Sequence, residues 1–152
     1  MLYPLSYEGG IGAAYSDGGV VLGSGTLRRM PDATVLVVDD DPVIQKLLQV
    51  NFEMEGYNVI TASDGLEGLE TARREHPDAI VLDVMMPKMD GLEVARTLKA
   101  DDDTKSIPIV LLSAKAQQAD LQAGQDTGAD EYLTKPFDPL ELLQRVATLI
   151  NR

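Results

Sequence analysis

Three short runs of this chain are apolar at every position, and a stretch with helical periodicity lies between each run and the next. The runs are VLVV at 35–38, AIVL at 79–82 and IVLL at 109–112. A strand with one face in water alternates apolar and polar residues, whereas a strand covered on both faces is apolar throughout. These runs therefore indicate central strands of a parallel sheet with helices on both faces.

The remaining periodicity completes an alternating pattern of strands and helices. Strands are predicted at 34–39, 58–62, 79–83, 107–112 and 130–134, and helices at 42–55, 65–75, 91–100, about 115–127 and 139–150. The first helix aligns Val43, Leu47, Val50 and Met54, with Ile44 and Leu48 beside them, and the last aligns Leu140, Leu143, Ala147 and Ile150. Because crossovers between parallel strands are right-handed, the pattern predicts a doubly wound α/β fold.

Asp-Pro pairs mark the expected starts of two of these helices. Asp41 and Asp138 suit the N-cap position, and the proline after each suits the first helical turn. This accounts for Asp41, but it leaves the two preceding acids unexplained.

Residues 1–30 differ in composition from the rest of the chain. They contain seven of the thirteen glycines and show neither helical nor strand periodicity. We therefore predict a flexible N-terminal extension at 1–30 and one domain at 31–152, which is an ordinary domain length.

Composition excludes several classes of protein. There is no cysteine, so disulfides and thiolate metal sites are ruled out. The sequence has neither an apolar run of membrane-spanning length nor a signal peptide, which favours the cytoplasm and no membrane insertion. The net charge of −12 lies wholly in residues 31–152, since residues 1–30 have two acids and two bases. Such a surface repels nucleic-acid phosphates, so direct nucleic-acid binding is not expected.

Residues capable of chemistry follow four of the five predicted strands. Asp39 and Asp40 end the first strand, Asp83 the third, Ser113 the fourth and Lys135 the fifth. Each alone has an ordinary explanation: an aspartate as a cap, the serine as N-cap of the fourth helix, the lysine as a solvated side chain. Together they favour a site, because ligands of doubly wound sheets bind beyond the carboxyl ends of the strands. Adjacent carboxylates also suit a hard cation such as Mg2+.

Four motifs in this arrangement point to a family. VLVVDDDP at 35–42, IVLDVMMPKMDGLE at 80–93, PIVLLSAK at 108–115 and GADEYLTKPF at 128–137 stand in that order. They resemble the successive signatures of bacterial two-component response-regulator receiver domains, chemotaxis regulators included, over about residues 33–151. The resemblance implies a flavodoxin-like fold: a five-stranded parallel sheet of order 2-1-3-4-5 with five helices.

The resemblance also assigns roles at the strand ends. It implies that Asp83 is the phosphoacceptor and that Asp39 and Asp40 hold Mg2+, with Mn2+ as an alternative ion. Asp83 and the backbone carbonyl of Met85 would be further ligands, and Lys135 would pair with the phosphoryl group. Lys135-Pro136 is a candidate cis peptide bond.

Ser113 and Tyr132 form the switch pair in the same resemblance. Ser113 would contact the phosphoryl group, and the Tyr132 ring would move from exposed to buried in response. The output would be a changed surface of helix 4, strand 5 and helix 5.

The implied function is a phosphorylation-activated signalling switch, a phosphoacceptor and not an enzyme that turns over free substrates. The donor would be a phosphohistidine on a sensor histidine kinase or histidine phosphotransfer protein, and the recipient a downstream protein target or output domain. Since the chain ends at Arg152, just after the last predicted helix, we expect either a stand-alone receiver or a chain cut before an output domain.

Two other functions share this architecture. A flavodoxin-like electron carrier needs a Ser/Thr/Gly-rich phosphate loop after the first strand, where this chain has carboxylates that would repel the FMN phosphate. A metal-dependent phosphatase needs its aspartate nucleophile on the first strand and a cap over the substrate, and little sequence is left to build a cap.

Overall fold

Strands and helices alternate along residues 33–151, the part of the chain that the computed structural model describes. The elements are β1 Thr34–Val38, α1 Pro42–Met54, β2 Asn58–Ala62, α2 Gly65–Glu75, β3 Ala79–Asp83, α3 Gly91–Ala100, β4 Ile109–Ser113, α4 Gln118–Asp126, β5 Glu131–Thr134 and α5 Pro139–Ile150. None of the helices in residues 33–151 is both long and apolar enough to cross a lipid bilayer. The predicted extension at 1–30 lies outside the described residues, so the division at residue 31 stays a prediction.

The sheet has the predicted topology. Its order is β2-β1-β3-β4-β5, and all neighbouring strands are parallel. Val38 at the end of β1 is opposite Leu82 of β3, and Asp83 at the end of β3 is opposite Leu112 of β4. The carboxyl ends of the three central strands therefore meet at one edge.

Both faces of the sheet are covered, which explains the uninterrupted apolar runs. Along β1, Leu36 and Val38 pack with α2 and α3, while Val35 and Val37 pack with α1 and α5. All five residues of β3 and of β4 are buried. The prediction of central, doubly covered strands is confirmed.

Helix α1 packs on the sheet through a different face from the one its periodicity indicates. Leu48 and Phe52 are buried against the sheet, and Tyr57 packs edge-on against Phe52 with ring centroids 5.7 Å apart. The predicted stripe is largely exposed, at 72% for Val43, 40% for Leu47, 40% for Val50 and 75% for Met54. Because α1 carries two neighbouring apolar stripes, helical periodicity could not identify which one meets the sheet.

Helix α5 shows the same shift of face. Leu142, Val146 and Leu149 are buried, whereas Leu140 is 59% exposed. The other aligned residues lie at the margin of the buried face. The rotation of each helix about its own axis, which decides the face that meets the sheet, is set by the connections of the helix and by the side chains opposite. Those side chains are remote in sequence.

Aspartate caps start four of the helices. Asp41, Asp64, Asp90 and Asp138 accept a hydrogen bond from a backbone N–H in the first turn of α1, α2, α3 and α5 respectively. The two predicted Asp-Pro starts are confirmed. Helix α4 begins at Gln118, later than the predicted start near 115, so Ser113 is not its cap.

Candidate functional site

Three carboxylates meet at the carboxyl edge of the sheet. Asp39 and Asp40 follow β1, and Asp83 ends β3, the neighbouring strand. One oxygen from each lies within 4.8 Å of the others. Asp39 is 1% exposed and Asp83 6% exposed, whereas Asp40 is open to solvent. The sheet thus brings together the three acids that the sequence pointed to.

Lys135, the residue directly after β5, joins this cluster. Its Nζ is 3.3 Å from Asp39 Oδ2 and 3.3 Å from Asp83 Oδ1, so it donates to both buried acids. The Lys135 backbone N–H donates to the carbonyl of Ser113, which holds the end of β5 against β4. The Lys135-Pro136 peptide bond is cis, as predicted.

Burial and charge shift the ionisation of this cluster. Burial raises the pKa of Asp83, and the Asp39 carboxylate raises it further, against the opposing effects of Lys135 and the Met85 backbone N–H. Burial lowers the pKa of Lys135, but Asp39 and Asp83 outweigh it and leave that pKa above its usual value. The folded protein therefore favours the charged form of Lys135 and disfavours the charged form of Asp83, each relative to the free side chain.

The cluster fits a hard divalent cation. All three side chains offer oxygen ligands, which Mg2+ and similar ions prefer. Three negative charges face the single positive charge of Lys135, and a bound divalent cation would balance the excess. Met85 lies in the loop directly after β3, two residues beyond Asp83.

Removing one buried charge should stabilise the protein when no divalent cation is present. We expect Asp83→Asn to raise the free energy of unfolding in EDTA by on the order of 1 kcal/mol, because it removes a buried like charge beside Asp39. Asp40→Asn should have a smaller effect, since water screens the exposed Asp40 carboxylate. Urea unfolding in EDTA measures both, and a destabilised Asp83→Asn variant would contradict the expectation.

The loop after β3 is held close to the strand end by Gly91. The Gly91 N–H donates to the carbonyl of Val84 at 2.8 Å. A Cβ on Gly91 would overlap the Asp83 carbonyl and approach Val84 Cα to 2.8 Å. Within the loop, the Met89 N–H donates to the Pro87 carbonyl at 2.8 Å. A tight turn thus follows Asp83, and it leaves little of the Asp83 side chain accessible, at 6% exposed.

Gln45 supports the ends of β1 and β2, and sequence reasoning missed it. Its Nε2 donates to the backbone carbonyl of Asp39 at 3.1 Å and to that of Ala62 at 3.0 Å. Gln45 therefore ties α1 to the strand end that carries the acidic pair. A glutamine in an amphipathic helix resembles any surface residue, so no sequence signal identifies this role.

Ser113 and Tyr132 are linked through the backbone of Lys115. Ser113 is fully buried, and its Oγ accepts a hydrogen bond from the Lys115 N–H at 3.0 Å. The half-buried Tyr132 ring packs against the core face that contains Leu111, and its hydroxyl donates to the Lys115 carbonyl at 3.0 Å. The two residues of the predicted switch thus contact opposite sides of one residue, which the sequence did not indicate.

Known proteins share this arrangement. Residues 35–147 match the response regulator receiver domain family. The chain is 48% identical over 118 residues to the DNA-binding dual master transcriptional regulator RpaA of Synechocystis, covering 78% of this chain and 49% of RpaA. It is 50% identical over 118 residues to the alkaline phosphatase synthesis transcriptional regulatory protein PhoP of Bacillus subtilis, covering 78% of this chain and 48% of PhoP. The chain thus spans about half the length of these relatives.

Solved structures agree with the sequence comparison. The receiver domain of the sensor histidine kinase PA1611 from Pseudomonas aeruginosa is 31% identical, with a TM-score of 0.74. The match covers 80% of this chain and 99% of that domain, whose crystal structure has a magnesium ion coordinated in the active-site cleft. The profile match, the strand order and the acidic edge of the sheet lead to one conclusion: this chain belongs to the response regulator receiver domain family.

Proposed function

We propose that this protein is a phosphorylation-activated switch of a two-component system, with Asp83 as phosphoacceptor. The observation that supports this best is the position of Asp83: it is nearly buried at the end of β3, 3.3 Å from Lys135 Nζ and beside two further carboxylates. The donor is a phosphohistidine on a sensor histidine kinase or a histidine phosphotransfer protein.

The transfer exchanges one bond to phosphorus for another. A carboxylate oxygen of Asp83 forms a bond to phosphorus as the bond from phosphorus to the donor imidazole nitrogen breaks, and the product is an acyl phosphate. Phosphoryl transfer has a loose transition state with charge spread over the equatorial oxygens, so positioning and positive charge supply most of the catalysis. Water later hydrolyses the acyl phosphate.

The side chains around Asp83 have separate roles. Lys135 pairs with one phosphoryl oxygen, and the Ser113 hydroxyl donates to another. Asp39, Asp40 and Asp83, with the backbone carbonyl of Met85, would hold Mg2+, with Mn2+ as an alternative ion. The chemistry that the bound ion supplies is neutralisation of charge, without which the acids would repel a phosphoryl group. The magnesium-bound cleft of the PA1611 receiver domain supports this choice of ion.

Exposed apolar side chains near the acidic edge support a protein as donor. Val43, Leu66 and Leu140 stand in the first turns of α1, α2 and α5, and Met85 follows β3. They are 72%, 45%, 59% and 56% exposed respectively. First turns of these helices follow the carboxyl ends of strands, so the apolar groups lie on the side of the sheet that bears the acids. A small phosphoryl donor would gain nothing from them, whereas a partner protein would bury them.

The output passes from Ser113 through Lys115 to Tyr132. When the Ser113 hydroxyl moves toward the phosphoryl group, the hydrogen bond from the Lys115 N–H to Ser113 Oγ breaks. Lys115 can then shift, and its carbonyl is the group that accepts the hydrogen bond from the Tyr132 hydroxyl. The surface of α4, β5 and α5 would then change for a downstream protein target or output domain. Similarity to two transcriptional regulators supports an output in gene control. The net charge of −12 makes direct contact between this domain and DNA unfavourable.

Incubation with acetyl phosphate and Mg2+ tests the proposed function. We expect one equivalent of acid-labile phosphate per chain, and no uptake in EDTA. Phosphate release over many turnovers would indicate a phosphatase, and a yellow protein with bound flavin would indicate an electron carrier. Either result, or the absence of any uptake, would overturn the proposal.

Ser113→Ala should separate the chemistry from the response. The variant lacks one donor to the phosphoryl oxygens, yet Asp83, Lys135 and the acidic pair remain, so slower phosphorylation is expected. The chain has no tryptophan, so 19F NMR of fluorotyrosine at Tyr132 is a suitable reporter of the response. Its shift on adding beryllofluoride and Mg2+ should be smaller in Ser113→Ala than in the parent. Equal shifts at saturation would rule out coupling through Ser113.

A further inference from the structure

The Tyr132 ring lies against α4 at the one glycine of that helix. Gly124 is buried, and a Cβ added to it would lie 2.7 Å from Tyr132 Cε2, with Cδ2 closer still. Such a Cβ would be 3.5 Å from Leu111 Cδ1, an ordinary contact. The tyrosine ring is therefore the group that occupies the space where a side chain at position 124 would stand.

Backbone conformation does not account for a glycine at this position. Gly124 lies inside α4, Gln118–Asp126, and it does not have a left-handed φ, in contrast to Gly128 at φ +89°. Glycine inside a helix is disfavoured relative to alanine by roughly fivefold in the folding equilibrium. The contact with Tyr132 is the feature of the described structure that requires the missing Cβ.

We propose that Gly124 is a positioning residue for the switch: its missing side chain makes a slot in α4 that the Tyr132 ring enters when its hydroxyl bonds the Lys115 carbonyl. The slot itself follows from the packing alone. Its regulatory effect rests on the proposed function, because Lys115 is the residue that also donates to Ser113 Oγ.

The slot should couple the ring to the phosphoryl site. In the proposed response the Tyr132 ring moves from exposed to buried, and the slot at Gly124 is where the ring is buried, so a residue that blocks the slot opposes that response. Coupling between two sites is reciprocal in free energy. Blocking the slot should therefore weaken binding of a phosphoryl mimic, although Gly124 contacts none of Asp39, Asp83 and Lys135 in the contacts described above.

A double-mutant cycle in the full chain tests the slot. In a Tyr132→Ala background, Gly124→Ala should lower the unfolding equilibrium constant about fivefold, the ordinary gain of alanine over glycine in a helix. In the parent background the same substitution should leave the stability unchanged or lower it, because the added methyl group forces the Tyr132 ring out of the slot. The exposed neighbour Gln125→Ala serves as control and should have the same small effect in both backgrounds. Equal gains from Gly124→Ala in both backgrounds would overturn the proposal.

Beryllofluoride titration in Mg2+ tests the regulatory effect. The 19F signal of fluorotyrosine at position 132, assigned by its loss in Tyr132→Phe, reports the ring. In Gly124→Ala we expect that signal to move toward its solvent-exposed position and the apparent Kd for beryllofluoride to rise about 3- to 10-fold, in line with coupling energies of this kind. An unchanged Kd with a displaced ring would overturn the regulatory proposal. Failure of the parent to bind beryllofluoride would instead count against the proposed function, and the unfolding cycle would still test the slot.

Discussion

Asp83→Asn should take up no acid-labile phosphate from acetyl phosphate under conditions where the parent takes up one equivalent. The amide has the shape of the carboxylate but cannot attack phosphorus to give an acyl phosphate. We expect neither of the other two acids to replace it, because Asp39 also accepts a hydrogen bond from the Asp41 N–H, and Asp40 is open to solvent. Phosphate-affinity electrophoresis and intact mass measure the uptake.

A surface aspartate provides the matched control for this loss. Asp102 has an exposed side chain and pairs only with Lys105 among the described ion pairs, so Asp102→Asn should be labelled like the parent. Asp83→Asn should remain folded, since it removes a carboxylate whose pKa burial and Asp39 raise. Undiminished labelling of folded Asp83→Asn would show that another residue accepts the phosphoryl group.

Lys135→Met should have the largest effect on stability of the variants considered. It leaves Asp39 and Asp83 buried without the ammonium group that lies 3.3 Å from each. Breaking a buried pair costs several kcal/mol, and partial exposure of Lys135 reduces this, so we expect a loss of about 2–3 kcal/mol in EDTA. Phosphorylation should slow about 100-fold, the usual effect of removing one positioned donor.

The stability loss should depend on pH in a defined direction. The pKa of Asp83 is raised above its ordinary value of 3.8, so the native state holds this proton more tightly than the unfolded chain does. Stability is therefore lost as the pH rises from below 3.8 through the raised native pKa. Lys135 lowers that pKa, so its removal should enlarge the loss. The difference between Lys135→Met and the parent should be greatest near neutral pH and shrink on acidification.

Urea unfolding in EDTA across pH 4 to 7 measures this difference. Lys105→Met is the matched control, because Lys105 is exposed and pairs with the exposed Asp102. That variant should stay within about 0.5 kcal/mol of the parent at every pH. A Lys135→Met variant as stable as the parent near pH 7 would mean that the two buried acids do not depend on Lys135 for charge compensation.

Sequence alone was sufficient for those features that depend on local chemistry. The apolar runs at 35–38, 79–82 and 109–112 predicted the central strands, because a strand covered on both faces has no polar position. Aspartate before proline predicted two helix starts, because a cap involves only residues a few positions apart. The residues at the strand ends were predicted to meet, because parallel strands share one carboxyl edge.

The buried faces of the helices could be identified only from their packing in the folded domain. Helix α1 has apolar residues on two neighbouring stripes, and only docking on the sheet showed that Leu48 and Phe52 are inside and Val43 outside. Periodicity gives the spacing of apolar residues around a helix, but the rotation of the helix against the sheet depends on side chains far away in sequence.

The contacts that support the site and connect it to the rest of the domain also became visible only in the folded structure. Gln45 donates hydrogen bonds to strand-end carbonyls 6 and 17 residues away, and the Tyr132 hydroxyl donates to the carbonyl of Lys115 across 17 residues. The ring of Tyr132, on the strand after α4, occupies the space where a side chain at Gly124 would stand. Glutamine, lysine and glycine are common on exposed surfaces and in turns, so their residue types carry no sign of these roles. Residue types and strand-end positions are local properties, so the sequence was enough to identify the acids and the lysine that meet at the carboxyl edge of the sheet. Contacts between residues brought together by folding determined what holds and connects them.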